Sequence, residues 1–172
     1  MARSFDIAAD YACRVEDLLA AYTEEEYWLA RLAGSGVDVA ELEELRVEGG
    51  SGEPRRINVV TLQSMYSQNL PAMVSQLHPG DLCVRRGENW GPVTDGVATA
   101  SIEGAIVNAP VNLSGTAVLE PISAGSRLTF RVSVQVRIPI IGGKVDRLIG
   151  DNLGGMVADE QRFTAEWLAA NA

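Results

Sequence analysis

The sequence predicts an α+β fold in which one strongly curved antiparallel sheet wraps around a long C-terminal helix. Three observations support this. An alternating strand and two short amphipathic stretches open the chain. From Val39 to Pro139 the apolar residues recur about every second position, and from Lys144 to Ala172 they recur every three or four positions. With 172 residues and 47% hydrophobic content, residues 1–172 can bury one core. We therefore expect a single domain.

The first strand and two short helices come before the main sheet. Ser4–Ala12 alternates apolar and polar residues, as a half-buried strand does. Arg14–Tyr22 carries its large apolar residues on one helical face. Thr23 is a suitable N-cap for a second helix over Glu24–Leu32, with Glu26 completing a capping box, and a Gly-Ser-Gly run ends it.

About six antiparallel strands are expected between Val39 and Pro139. The turn signals between them are Gly49-Gly50-Ser51-Gly52, Pro79-Gly80-Asp81, Gly91-Pro92, Asn108-Ala109-Pro110 and Ser123-Ala124-Gly125. The interruption at Ser64–His78 is too long for a hairpin loop, and we expect a short helix after Pro71. This segment is either a lid over the core or a packed loop.

Hairpin pairing predicts which residues face the helix. A turn at Ser123-Ala124-Gly125 pairs Leu119 with Leu128, and the same register carries across β-strands on both sides. The middle of the inner face then consists of small residues: Ala98, Ala100, Gly104, Gly115 and Ala117. Either the helix packs unusually close to the sheet there, or an apolar ligand fills a cavity between them.

The terminal helix should be about 40 Å long and should cross this patch. Its apolar residues are Val145, Leu148, Ile149, Leu153, Met156, Val157, Phe163, Trp167 and Leu168. Gly154-Gly155 costs about 1 kcal/mol per glycine relative to alanine. Close packing on the sheet is the simpler explanation for the pair, and a flexible point that admits a ligand is the other.

Charged residues lie on the inner face of the strand after Pro79-Gly80. The alternation that turns Leu82 and Val84 inward also turns Arg86, Glu88 and Trp90 inward. Either the two charges anchor the polar end of an apolar tunnel, or the strand has left the core and both are solvated at the rim; the rim is the simpler expectation. On the terminal helix, Glu160 lies close to the apolar stripe and could meet an arginine from the sheet.

Composition argues against several classes of function. The net charge of −9 lies entirely within residues 1–53 and argues against nucleic acid or an anionic membrane surface as the main partner. This acidic third is either solvated surface or a docking patch. Two cysteines, Cys13 and Cys83, and one histidine, His78, give no support for a disulfide framework, a metal site or a cofactor. No secretion signal or membrane span is visible, so we expect a cytoplasmic protein.

These elements resemble the START-like superfamily, also called the polyketide cyclase and lipid-transport or helix-grip superfamily, and within it a bacterial family of unknown function. The matching stretches are Phe5–Tyr11 with Tyr27-Trp28, Asn69-Leu70-Pro71, Trp90, Ala109-Pro110-Val111, Ser114-Gly115-Thr116, Pro139-Ile140-Ile141-Gly142-Gly143-Lys144 and Glu160-Gln161-Arg162-Phe163 with Glu166-Trp167-Leu168. The resemblance implies a helix-grip fold: a seven-stranded antiparallel sheet around the C-terminal helix, enclosing a hydrophobic cavity. It carries over no catalytic residue.

We therefore expect non-enzymatic binding or transport of a small hydrophobic ligand, such as a lipid, sterol or polyketide-like molecule. The alternatives are a cyclase or dehydratase that uses the same cavity, with Arg86 or Glu88 transferring a proton, and an accessory protein-docking domain. The expected ligand-binding residues are Arg86, Glu88, Trp90, Ala100, Ile102, Gly104, Gly115, Ala117, Phe130, Val132, Leu153, Met156 and Val157.

Overall fold

The computed structural model describes residues 2–50, 55–139 and 142–172, and over these it confirms the predicted fold class. The elements, in chain order, are β1 (Ala2–Tyr11), α1 (Val15–Tyr22), α2 (Glu25–Ala33), β2 (Val39–Glu48), β3 (Arg56–Met65), a 3-10 turn (Ser67–Asn69), α3 (Ala72–Leu77), β4 (Leu82–Trp90), β5 (Ala98–Ile106), β6 (Val111–Ile122), β7 (Gly125–Val136) and α4 (Gly142–Ala170). The predicted short helix after Pro71 is α3.

The seven strands form one antiparallel sheet with the order β1-β7-β6-β5-β4-β3-β2. Consecutive strands from β2 to β7 pair antiparallel with one another, and β1 closes the far edge beside β7. The predicted register is confirmed, because Leu119 pairs with both Leu128 and Ala98. Arg86, Glu88 and Trp90 pair with Gly104, Ile102 and Ala100, which places all six residues on the inner face.

The predicted capping box of α2 is wrong. The helix begins at Glu25 with Glu24 at the N-cap position, and no side chain caps it. The Thr23 hydroxyl instead donates to the Ala20 carbonyl at 2.6 Å and so satisfies the end of α1. The link between the two helices is short, and Thr23, which caps the end of α1, cannot also be the N-cap of α2.

Helix α4 lies mainly against β1 and β7, and near its C-terminal end against α2. At Gly150 the helix approaches β1 so closely that a Cβ atom would lie 2.1 Å from the Phe5 ring. Gly154 and Gly155, by contrast, are exposed, and a Cβ atom at either position would have nothing within 4 Å. Close packing on the sheet is therefore the wrong explanation for this glycine pair.

The core has two parts. The larger is rich in aromatic residues and joins α1, α2 and the inner face of the sheet; Tyr22, Tyr27, Trp28 and Trp90 are almost completely buried in it. The smaller lies below the first turns of α4 and contains Val111, Val134, Val136 and Val145. The region between the two parts contains the charged residues of β4.

Candidate functional site

The inner face of β4 runs from solvent into the core. Val84 is 37% exposed, the Arg86 side chain 15%, the Glu88 side chain 4% and Trp90 0%. Alternate residues of a strand share one face, so these four side chains form a single row. The rim expectation was wrong: Glu88 is buried, Arg86 is partly buried, and of these four residues only Val84 is exposed.

Glu160 of α4 forms an ion-pair network with two arginines. Its carboxylate accepts hydrogen bonds from Arg86 Nη1 at 2.8 and 2.9 Å and from Arg31 Nη2 at 2.5 Å. Arg86 Nη2 also lies 3.6 Å from Glu88 Oε2. The expected contact between Glu160 and a sheet arginine is confirmed. The network joins α2, β4 and α4, and its two positive and two negative charges cancel.

The network keeps Glu160 ionised. Burial alone would raise the pKa of this carboxyl group, but the charges and hydrogen bonds of Arg31 and Arg86 outweigh burial and lower the pKa to about 2. The pKa of the Arg31 guanidinium is raised well above its usual range, because Glu160 outweighs the cost of burial. Glu160 and Arg31 therefore carry their ordinary charges at neutral pH.

Aromatic and hydroxyl groups surround the Arg31 side of the network. The Tyr27 hydroxyl is 2.7 Å from Thr164 Oγ1 and accepts a bond from Arg31 Nη1 at 3.3 Å. The Arg31 guanidinium lies 4.8 Å from the ring centre of Trp28, within cation–π range. Sequence analysis missed Arg31, Tyr27 and Thr164. A usable signal was present, because Arg31 is the only basic residue of α2 and lies one turn after Tyr27.

The upper half of the small-residue patch belongs to the aromatic core. Ala98, Ala100 and Ala117 are buried in the same cluster as Trp90, whose ring centre lies 5.7 Å from that of Tyr22. Trp90 pairs with Ala100 across the sheet. Bulky rings and small residues therefore complement each other at this end of the inner face.

The glycine at position 115 is explained by backbone packing and not by a need for open space on the inner face. A Cβ atom there would lie 2.1 Å from the Arg131 carbonyl oxygen and 2.7 Å from Val132 Cα, both backbone atoms of β7. Gly104, in contrast, would accommodate a Cβ atom at ordinary contact distances from Leu113. Glycine at 115 therefore permits a close approach of β6 to β7.

The lower half of the inner face is only partly covered. Val84, Ile106 and Leu113 point inward by register, yet none of them is fully buried. Across from them, α4 presents Leu153 and Met156, and Met156 is 37% exposed. Met156 lies one turn before Glu160, which contacts β4, so it is on the β4 side of the helix. We call this partly exposed apolar surface, formed by Val84, Ile106, Leu113, Ile149, Leu153 and Met156, the lower groove. Ile106, Leu113, Ile149 and Leu153 also pack against the smaller core.

Ten of the thirteen predicted site residues lie on the inner face of the sheet, and the other three, Leu153, Met156 and Val157, lie on α4. Those that are buried are Glu88, Trp90, Ala100, Ile102, Ala117, Phe130, Val132 and Val157. Arg86, Gly104, Gly115 and Leu153 are partly buried. The Arg86 guanidinium lies 5.8 Å from the Phe130 ring centre, and Met156 is 37% exposed.

Two surface cavities lined by described residues lie away from the lower groove. One of about 510 Å³ is at the start of α4, and one of about 280 Å³ is beside His78 and Cys83. Over the described residues, no group of three or more potential metal ligands comes together, and no helix is long and apolar enough to span a membrane.

Comparison with known proteins places the chain in a family. Residues 6–168 match the model of a family described as "Protein of unknown function (DUF2505)". The chain belongs to this family. It is also 60% identical over 173 residues to the uncharacterized proteins Rv0481c of Mycobacterium tuberculosis and Mb0491c of Mycobacterium bovis, covering 99% of each chain.

Solved structures share the fold of this DUF2505 member at low sequence identity. TTHA0849 from Thermus thermophilus matches with a TM-score of 0.56 and 15% identity, over 100% of this chain and 99% of that one. Protein Ms6760 from Mycobacterium smegmatis matches with a TM-score of 0.54 and 10% identity, over 98% and 92%. These likenesses show the fold alone, which is the helix-grip arrangement that the resemblance implied: a seven-stranded antiparallel sheet around the C-terminal helix.

Proposed function

We propose that this protein binds a small hydrophobic molecule in the lower groove and carries it without chemical change. The observation that supports this most directly is the row along β4, in which the exposed apolar side chain of Val84 is followed by the largely buried charges of Arg86 and Glu88. Ligand sites typically combine an apolar lining with a few fixed polar groups. A lipid, sterol or polyketide-like molecule would suit this lining.

The charges of the network favour binding over acid–base catalysis. A general acid or base works best with a pKa near the working pH. Arg31 and Arg86 hold the pKa of Glu160 at about 2, so it stays ionised and is a very weak base. Its tight contacts with two guanidiniums make it a positioning group that fixes Arg86 at the inner end of the groove.

We further propose that α4 bends at Gly154-Gly155 to admit the ligand. The N-terminal part of the helix is anchored on β1 at Gly150, and the C-terminal part is held by Glu160 and Thr164. The glycine pair lies between these anchors and has no packing role. We assign the activity to the cytoplasm, where the two free cysteines would stay reduced.

Binding of a fluorescent apolar probe tests the groove. Val84→Gln should weaken probe binding at least fivefold, because it puts an amide at the entrance of the groove. Val93→Gln is the matched control, since Val93 is 39% exposed but lies in the loop after β4. Native mass spectrometry of freshly purified protein should in addition show a co-purifying apolar mass.

The proposal would be refuted if no apolar probe bound the folded wild-type protein and no mass co-purified. Equal weakening by the two glutamine variants would also count against the lower groove as the binding site. Both variants are expected to fold, because each changes a partly exposed side chain.

A further inference from the structure

On β4, a buried indole N–H without a hydrogen-bond partner lies next to a carboxylate on the same strand face. Trp90 is 0% exposed, and no acceptor among the described residues lies within hydrogen-bond distance of its Nε1. Within the same described ranges, the Glu88 carboxylate has one charged partner, Arg86 Nη2 at 3.6 Å, which is an ion-pair distance. Buried polar groups are normally paired, so the unpaired indole N–H requires an explanation, and the carboxylate at the neighbouring inward position has acceptor sites that Arg86 leaves open.

The two groups have complementary requirements. Glu88 and Trp90 are two residues apart on one strand face, so their Cα atoms are about 7 Å apart. An oxygen atom that makes two hydrogen bonds of about 2.8 Å can lie between such side chains. It must accept from the indole N–H and donate to the carboxylate. A hydroxyl group or a water molecule does both, whereas an ether or a carbonyl can only accept.

The charge of the network argues against an anionic ligand. Arg31 and Arg86 are already balanced by Glu88 and Glu160. A ligand carboxylate would add an uncompensated negative charge beside Glu88, and burying an unpaired charge is strongly unfavourable. An uncharged hydroxyl group leaves the balance unchanged.

We propose that the ligand is an uncharged alcohol or phenol whose hydroxyl group enters first and bridges Glu88 and Trp90, with its apolar body in the lower groove. This inference rests on the proposed function and specifies its ligand class. In the free protein a water molecule would fill the same position. The ligand hydroxyl replaces that water without leaving either group unpaired.

A matched series of ligands tests this directly. Decan-1-ol, decyl methyl ether, decane and decanoate would compete for the apolar probe on the wild-type protein. We expect decan-1-ol to bind at least tenfold more tightly than each of the other three. Trp90→Phe and Glu88→Gln should each reduce this preference severalfold, and Trp167→Phe, which changes a tryptophan outside β4, should retain it.

A second measurement does not depend on those variants folding well. The protein has three tryptophans and hence three indole N–H signals in a nitrogen–proton NMR spectrum. Trp28→Phe and Trp167→Phe each remove one of them, and the Trp90 signal is then assigned by elimination. Decan-1-ol should shift the Trp90 signal downfield, and decane should leave it at its free position.

The outcomes separate the two proposals. If the probe binds but the four compounds compete equally, or decanoate competes best, the hydroxyl inference is overturned and the proposed function stands. An unchanged Trp90 signal with saturating decan-1-ol overturns it as well. If neither the probe nor any of the four compounds binds, the proposed function fails and this inference fails with it.

Discussion

Replacing Glu160 with glutamine should destabilise the protein strongly at neutral pH. Glu160 accepts three short hydrogen bonds from Arg31 and Arg86, and both guanidiniums are largely buried. A glutamine of the same shape can accept through one oxygen only, and its amide hydrogens face the donors of the arginines. Arg86 would retain Glu88, but Arg31 would lose its carboxylate partner.

The size of the effect follows from two estimates that agree. Removing one partner of a buried ion pair typically costs about 3–5 kcal/mol. The pKa of Glu160 falls from its ordinary 4.5 to about 2 on folding, which corresponds to roughly 3 kcal/mol. A lowered pKa means that this stabilisation is complete above pH 4.5 and is lost as the pH falls towards 2. The variant should therefore lose about 3 kcal/mol at pH 7 and much less at pH 2.5.

Urea unfolding followed by tryptophan fluorescence would measure both quantities, because Trp28 and Trp90 are buried. Glu166→Gln is the matched control, since Glu166 is exposed on the same helix, and it should change the free energy of unfolding by less than about 0.5 kcal/mol. A loss below 1 kcal/mol for Glu160→Gln at pH 7, or an equal loss at pH 7 and pH 2.5, would refute the reasoning.

Three further predictions concern glycines, each tested by urea unfolding of the purified variant. Gly115→Ala should lower the free energy of unfolding by about 3 kcal/mol or more, because its Cβ atom would overlap the β7 backbone. Gly104→Ala is the control and should change it by less than about 1 kcal/mol. Equal effects would contradict the role of Gly115 in the close approach of β6 to β7. Gly150→Ala should destabilise by about 1–3 kcal/mol through its overlap with the Phe5 ring, and a neutral result would show that this ring moves freely. Gly154→Ala should stabilise the protein by about 1 kcal/mol. If α4 bends at this position, the variant should also take up the probe more slowly in stopped-flow fluorescence. Unchanged uptake would contradict the bend.

The register of the sheet could be predicted because it depends on local information. The turn at Ser123-Ala124-Gly125 and the strict alternation of β6 and β7 leave only one pairing that buries the apolar face, so Leu119 had to meet Leu128. The same alternation placed Arg86 and Glu88 correctly on the inner face. It could not say whether the strand was still inside the core at that point, and the simpler expectation was wrong.

The direction of Met156 illustrates a second limit. Met156 belongs to the three-and-four pattern of α4, and a helical stripe predicts only that its residues share one broad face. Which edge of that stripe is covered depends on where the helix crosses the sheet. Because α4 lies over β1 and β7, residues toward β1 are covered and Met156, on the β4 side, is exposed at the groove.

The partner of Arg31 lay beyond local information, because Glu160 is 129 residues away in the sequence. Nothing in α2 indicates which helix or strand will lie over it. Charge balance nevertheless imposes a condition on the answer. A chain that buries Arg86 and Glu88 on one strand can bury Glu160 only with a second cation, since three charges would leave one unpaired. Arg31 supplies that cation from α2, and the same neutrality that stabilises the fold favours an uncharged ligand in the lower groove.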